Sequence, residues 1–218
     1  MNYRHARGRG FVLDNGDVSR AAFISRDSVV TDRALVRDAK LLNQSCAAED
    51  CRILGGTLDR GYVGGRTVVA GDAFIGEQSI IRCKTVCGRA RVTRSRLEGI
   101  VEVYDGAEVD QVYLHEGVLV YGNARLWGPF IVGGFARIDR GTWMRAPRVI
   151  DLEHAYITES IGGVLVECRY HTFDWWLRFG KKLGRKAGWT EAQIEETYAA
   201  IAEWAANDPV YQIQTVLE

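Results

Sequence analysis

The feature that most constrains this chain is a period of six. Residues 69–85 read VAGDAFIGEQSIIRCKT, with an aliphatic residue at Val69, Ile75 and Ile81 and a small one four places after each, at Ala73, Ser79 and Thr85. A helix returns a side chain to one face about every 3.6 residues and a strand every second residue, so neither element alone carries this rhythm. The spacing also runs through Val18, Ile24, Val30, Val36 and Leu42, with companions Ala22, Ser28, Ala34, Lys40 and Cys46. Val63, with its companion Thr67, extends the opening register. A third register holds Val120, Leu126, Val132, Ile138, Met144 and Ile150, whose companions Ala124, Phe130, Ala136, Thr142, Arg148 and His154 are less uniformly small. Over 48–62 and 87–119 the phase slips, although VYDGAE at 103–108 keeps the same grammar. Repeat proteins accept extra residues at turns more readily than within stacked strands, so the slips read as corner insertions.

Six-residue units of this kind resemble the hexapeptide-repeat family, whose chain winds into a triangular, usually left-handed, parallel β-helix. The resemblance covers roughly residues 18–155, about two-thirds of the chain. It implies a mainly β fold in which each hexad supplies one short strand and one corner, three hexads make a coil, and every aliphatic lies above its counterpart one coil below. A single coil cannot bury its apolar side, so stability arises from stacking, with backbone bonds between coils. A triangular right-handed helix, as in bactofilin-like filament proteins, has a similar texture; the resemblance to hexapeptide repeats with small corner residues implies the left-handed form.

Composition agrees with such a fold. The 218 residues include 24 Gly and only 3 Pro, which suits many tight turns. Lys plus Arg equals Asp plus Glu at 28 each, a balance that argues against nucleic acid or an anionic membrane as partner. The opening MNYRHARGRGF lacks the apolar run of a signal peptide and no later window is long enough to span a bilayer. Five cysteines, an odd number, fit a reduced compartment. The expected location is the cytoplasm, away from membranes.

Residues just before each interior aliphatic should point outward, and many are apolar: Phe23, Val29, Leu35 and Leu41, then Val68, Phe74, Ile80 and Val86, then Ile131, Trp143 and Val149. Strands are rich in such residues in any case. An outward apolar stripe nevertheless needs a cover, and packing along the prism faces as a homotrimer, common in hexapeptide-repeat enzymes, would supply it.

After the repeats the pattern becomes helical. In TFDWWLRFGKKLGRKAG, Phe173, Trp176, Leu177 and Leu183 fall at helical spacing and Gly188 is placed to end the helix. Thr190 and Gln193 form a capping box before a second stripe of Ile194, Tyr198, Ile201 and Trp204. The expected organisation is an N-terminal extension or cap (1–17), a β-helix (18–158), a connector (159–170), a helical hairpin (171–207) and a tail (208–218). Positive charge gathers on the first helix, at Arg178, Lys181, Lys182, Arg185 and Lys186, and negative charge on the second, at Glu191, Glu195, Glu196 and Glu203. These are two solvated faces attracting one another, or a basic cluster for an anionic ligand. The stretch CRYHTFDWW with the helix start GWTEAQIEE is similar to the C-terminal segment of phage and prophage hexapeptide-repeat proteins, over about fifty residues.

Hexapeptide acyltransferases place a histidine between subunits to deprotonate a substrate that attacks acyl-CoA; that resemblance implies acetyl-CoA as the donor. Of the four histidines, His5 lies in the N-terminal extension and His154 at a corner position. His115 in VYLHEGVLV is the candidate base, because a loop can project from an irregular stretch and Glu116 adjoins it. The long loop and the Gly-x-Pro-Ala-Lys-like CoA turn of the family have no counterpart beyond RAPR at 145–148. Cys46 and Cys51, and Cys83 and Cys87, lack the short spacing of a zinc pair and suit small core positions, so no metal is expected.

The expectation is therefore an oligomeric β-helix that binds a ligand or a host protein, sequestering a nucleotide-like small molecule in grooves between subunits, with Lys181, Lys182, Arg185 and His171 as ligand-binding residues. His171, beside the helix start, belongs either to that set or to a capping network. The alternatives are a CoA-dependent acyltransferase using His115 and Glu116, and a structural or filament component.

Overall fold

The computed structural model describes residues 2–167 and 169–207. Cys168 of CRYHTFDWW and the tail 208–218 lie outside the described residues. The chain forms two compact units, one made of the residues up to Gly134 together with Ile138–Ala146, the other of Phe135–Arg137 and the described residues from Pro147 onward.

In the first unit, two- and three-residue strands stack in three parallel ladders. One runs through Ile24, Leu41, Leu58, Ile75, Val92, Val109, Leu126 and Trp143, each paired with the next and seventeen residues apart. A second holds Val12, Val30, Ala47, Val63, Ile81, Leu97, Leu114 and Val132. The third holds Val18, Val36, Ile53, Val69, Val86, Val103 and Val120. It continues where Tyr121 N–H donates to the Ile138 carbonyl at 2.9 Å. Apart from Val18 in the terminal coil, these residues are all buried. The parallel β-helix that the hexapeptide-repeat resemblance implies is the fold observed.

The sides of the coil are not all six residues long. Steps such as Val36 to Leu41, Leu58 to Val63 and Val92 to Leu97 take five. Shortened sides, rather than corner insertions, therefore shift the phase, and the stretches 48–62 and 87–119 are ordinary stacked coils. Leu41 reaches the interior in place of Leu42, and Trp143 in place of Met144, which is 69% exposed. For the same reason Leu41, Val86 and Trp143, expected on the outer stripe, are interior residues.

Corners follow a rule of their own. Two places after an interior aliphatic the backbone commonly passes through a left-handed residue, as at Asp32, Glu49, Gly65, Gly88, Asp105 and Glu116, with φ of 55°, 62°, 66°, 70°, 60° and 62°. Glycine adopts this conformation freely, whereas a side chain raises its energy. The acidic members gain a compensating bond: Asp32 accepts the Glu49 N–H at 3.0 Å, Glu49 the Gly65 N–H at 2.8 Å and Asp105 the Gly122 N–H at 3.3 Å. Small companions fill the inside of corners, where Ser28, Ser79 and Ser95 hydroxyls accept from the N–H of Ser45, Ser95 and Val112 at 3.2, 3.3 and 3.1 Å.

Coiling begins within the expected extension 1–17, because Phe11–Val12 and Asp17–Val18 pair in parallel with the next coil. Tyr3–Arg4 folds back antiparallel on Phe11–Val12. Parallel pairing ends at Thr142–Trp143.

The second unit corrects both the expected end of the β-helix at 158 and the connector at 159–170. Val149–Leu152, Ala155–Ser160, Gly163–Val166 and Arg169–Thr172 form an antiparallel sheet in chain order. Ile150 and His154 thus belong to a hairpin rather than to a hexad register. Ile157, Val164 and Val166 supply one side of a core whose other side is Phe173, Trp176, Ile201 and Trp204.

The expected helical hairpin is present as α1 (Phe173–Lys186) and α2 (Glu191–Ala206). Thr172 caps α1 by accepting the Trp175 N–H at 3.3 Å, and Thr190 with Gln193 makes the capping box of α2. Gly188, at φ 83°, turns the chain between them. Among the described residues no helix is long and apolar enough to cross a membrane.

Candidate functional site

His115 and Glu116 lie at a corner of the β-helix, where no loop projects. The imidazole packs across Gly133, so closely that a Cβ there would come within 2.3 Å of the ring, and tilts against Tyr113 at 5.2 Å between centroids. Its side chain is 31% exposed, and Nδ1 stands 3.6 Å from the nearer Glu116 oxygen, beyond hydrogen-bonding distance. The other Glu116 oxygen accepts the N–H of Gly134 on the next coil. Glu116 thus repeats the bond that Asp32, Glu49 and Asp105 make at their corners, and among the described residues no carboxylate lies within hydrogen-bonding distance of the His115 ring.

Four of the five cations of α1 divide into two sets. Lys181 Nζ lies 2.7 Å from both oxygens of Glu195, and Arg185 holds Glu191 through two bonds of 2.7 and 3.0 Å. The guanidinium of Arg185 depresses the Glu191 carboxyl below the usual range, mainly through that hydrogen bond. Lys182 and Lys186 make no ion pair among the described residues and fall on a different face, four residues apart.

That face forms a groove of about 270 Å³ lined by Trp175, Phe179, Lys182, Leu183 and Lys186. Trp175 and Phe179 sit one helical turn apart, their centroids separated by 5.5 Å. The His171 ring stacks flat on Trp175, with centroids 3.5 Å apart and planes 12° from parallel. Burial, then the charge of Arg169, hold the His171 imidazole below the usual histidine range, so it stays neutral and acts as a stacking ring at neutral pH. Helical geometry explains the assembly, since residues four apart are neighbours on one face. Of the expected ligand set, Lys182 lines the groove, His171 only backs its Trp175 wall, and Lys181 and Arg185 take no part. Trp175, Phe179 and Lys186 join Lys182; their four-residue spacing from 175 to 179 and from 182 to 186 was the available signal.

The remaining histidines are held by the fold. His5 is buried, with ring nitrogens 3.2 Å from the Arg7 carbonyl oxygen and 3.1 Å from that of Ser19. His154 Nε2 lies 2.9 Å from the Thr197 hydroxyl, and its ring meets the Trp189 edge-on at 4.9 Å. Cys51 and Cys83 are buried, and burial pushes both thiols up to about 12, which removes the thiolate that nucleophilic chemistry requires. Among the described residues no group of three or more His, Cys, Asp or Glu side chains is placed to hold a metal ion.

No protein-family model and no curated protein matches the chain. Among solved structures, a hexapeptide transferase family protein from Anaplasma phagocytophilum is similar to it at 14% identity, over 88% of this chain and 92% of that one, with a TM-score of 0.19. The fold assignment rests on the chain's own strand ladders.

Proposed function

We propose that this protein is an oligomeric β-helix binding protein of phage or prophage type, whose hairpin groove takes an anionic ligand bearing an aromatic ring, a nucleotide-like small molecule. The division of charge along α1 carries this reading. Glutamates of α2 neutralise Lys181 and Arg185, while Lys182 and Lys186 keep their charge beside Trp175 and Phe179. A base stacks on exposed aromatic rings, and ammonium groups hold phosphate through charge-assisted hydrogen bonds. The phage assignment draws on the likeness of CRYHTFDWW. The homotrimer draws on an outer column of the β-helix that includes Phe11, Tyr62, Ile80, Tyr113 and Ile131, of which Phe11, Ile80 and Ile131 are exposed large apolar residues in the single chain.

A CoA-dependent acyltransferase has less support. Its base would be His115 alone, because Glu116 is committed to the Gly134 N–H, and no loop leaves the coils over 87–119 to shape an acetyl-CoA cleft.

Calorimetric titration of ATP and of adenosine into the full-length protein tests the binding reading. ATP should bind more tightly than adenosine, and the double variant Lys182→Ala/Lys186→Ala should weaken ATP by about tenfold or more, a charge-assisted bond being worth roughly 1.5–3 kcal/mol. Lys181→Ala/Arg185→Ala should change affinity little. An absence of ATP binding to the intact protein, or equal losses in the two double variants, overturns the proposal.

A further inference from the structure

Beneath the hairpin, within the second unit, lies a half-enclosed cavity of about 240 Å³, separate from the groove although Leu183 borders both. Its apolar walls are Val166, Trp176, Leu183, Ala187 and Trp189, and its polar groups are His154, Glu167 and Arg169.

These walls are fixed before any ligand arrives. The Trp176 indole N–H donates to the Val164 carbonyl at 3.2 Å, and Trp189 stands edge-on to His154. Buried Gly184 lets Trp189 and Ile194 close in, since a Cβ there would meet them at 3.0 and 2.8 Å. Neither indole can swing in to fill the space without giving up these contacts. A preformed apolar cavity with a few polar groups at defined places is the usual form of a small-molecule site.

The polar groups decide what charge the cavity accepts. His154, whose side chain is only 7% exposed, has its Nε2 against the Thr197 hydroxyl and its Nδ1 4.0 Å from a carboxylate oxygen of Glu196, which lies outside the cavity lining. Glu167 accepts the Tyr156 N–H at 2.9 Å through one oxygen and lies 3.7 Å from Arg137 through the other. Arg169 makes no ion pair among the described residues. The charge left for a ligand is therefore positive, on a planar fork that matches a carboxylate. Size narrows the class further. The cavity is half-enclosed, so its volume of about 240 Å³ bounds its occupant and suits one or two rings.

We propose that this cavity binds a small planar aromatic carboxylate, its rings lodged among Trp176, Leu183, Ala187 and Trp189 and its carboxylate paired with Arg169. The site is independent of the nucleotide-like ligand of the groove.

Titration of 2-naphthoate into the full-length protein, followed by calorimetry and ligand-observed NMR, tests this. One equivalent should bind. Ala187→Trp, at an exposed position where α1 ends, should fill the cavity and weaken binding by about tenfold or more; near-ultraviolet circular dichroism checks that this variant keeps its fold. Arg169→Gln should weaken 2-naphthoate by a similar factor while leaving neutral 2-naphthamide unchanged. Lys182→Ala/Lys186→Ala should leave 2-naphthoate affinity as it is. The proposal fails if the intact protein does not bind 2-naphthoate, if folded Ala187→Trp binds it equally well, if Arg169→Gln has no effect, or if the lysine pair proves to hold the probe.

Discussion

Glu116 and Glu49 occupy equivalent corners, each two residues beyond an interior residue, Leu114 and Ala47, and each with a left-handed backbone. Both carboxylates reach the next coil, to the N–H of Gly134 and of Gly65. The sequence His-Glu therefore looks like a base with its orienting acid, although the acid serves the stacking. Replacing Glu116 by Ala should remove one bond that solvent weakens at an exposed corner and cost about 1 kcal/mol of stability, read from the urea denaturation midpoint. His115→Ala should shift that midpoint less. If the two variants instead leave stability equal to that of the parent, the corner role of Glu116 is wrong. Sequence alone could not separate these roles, because the partner of Glu116 lies eighteen positions away, on the next coil. The interior aliphatics were legible for the opposite reason: burial repeats along the chain itself. Even there, Leu41 and Leu42 are both apolar, and so are Trp143 and Met144, so composition did not say which one faces inward.

At the scale of the element, the five-residue sides depend on backbone geometry that only some residues supply. Between Ile53 and Leu58 the turn is made by Gly55 and Gly56, at φ of 153° and 79°. A Cβ on Gly56 would stand 2.4 Å from the Ala73 carbonyl oxygen, a backbone atom of the next coil. Gly56→Ala should accordingly cost about 2 kcal/mol or more, the left-handed penalty of about 1–2 kcal/mol being joined by a displaced coil. Gly188 has a similar φ of 83°, yet a Cβ there meets nothing within 4 Å. Gly188→Ala should carry the backbone penalty alone, and the difference between the two midpoints in urea measures the clash. Equal effects would mean that the coils do not approach as closely at Gly56 as this geometry requires. The two helices were legible through their caps and apolar stripes, which are local. The neutralisation of Lys181 and Arg185 was not, because it is set by how α1 and α2 lie across each other, and neighbouring lysines in the sequence give no sign of which will meet a glutamate.

For the solenoid as a whole, the coil is the unit that can be counted. Because each coil contacts only its neighbours, stability is approximately a sum of coil and interface contributions, and removing one coil should shorten the stack without changing its architecture. Deleting residues 59–75 joins Leu58 to Gly76, which occupies the same place as Asp59 one coil later. All three ladders then resume in register. Glu49 loses its bond from Gly65, and the stack loses one interface. The shortened protein should keep its β-sheet circular dichroism and unfold cooperatively at a lower midpoint. Deleting 59–72 removes fewer residues but leaves Leu58 and Ile75 only three positions apart, where the observed sides need five or six. No corner can be turned in that distance, so this smaller deletion should be the more damaging of the two. The opposite ranking would show that the stack tolerates slippage between coils, and that the seventeen-residue ladder of Ile24, Leu41 and their successors does not set the register.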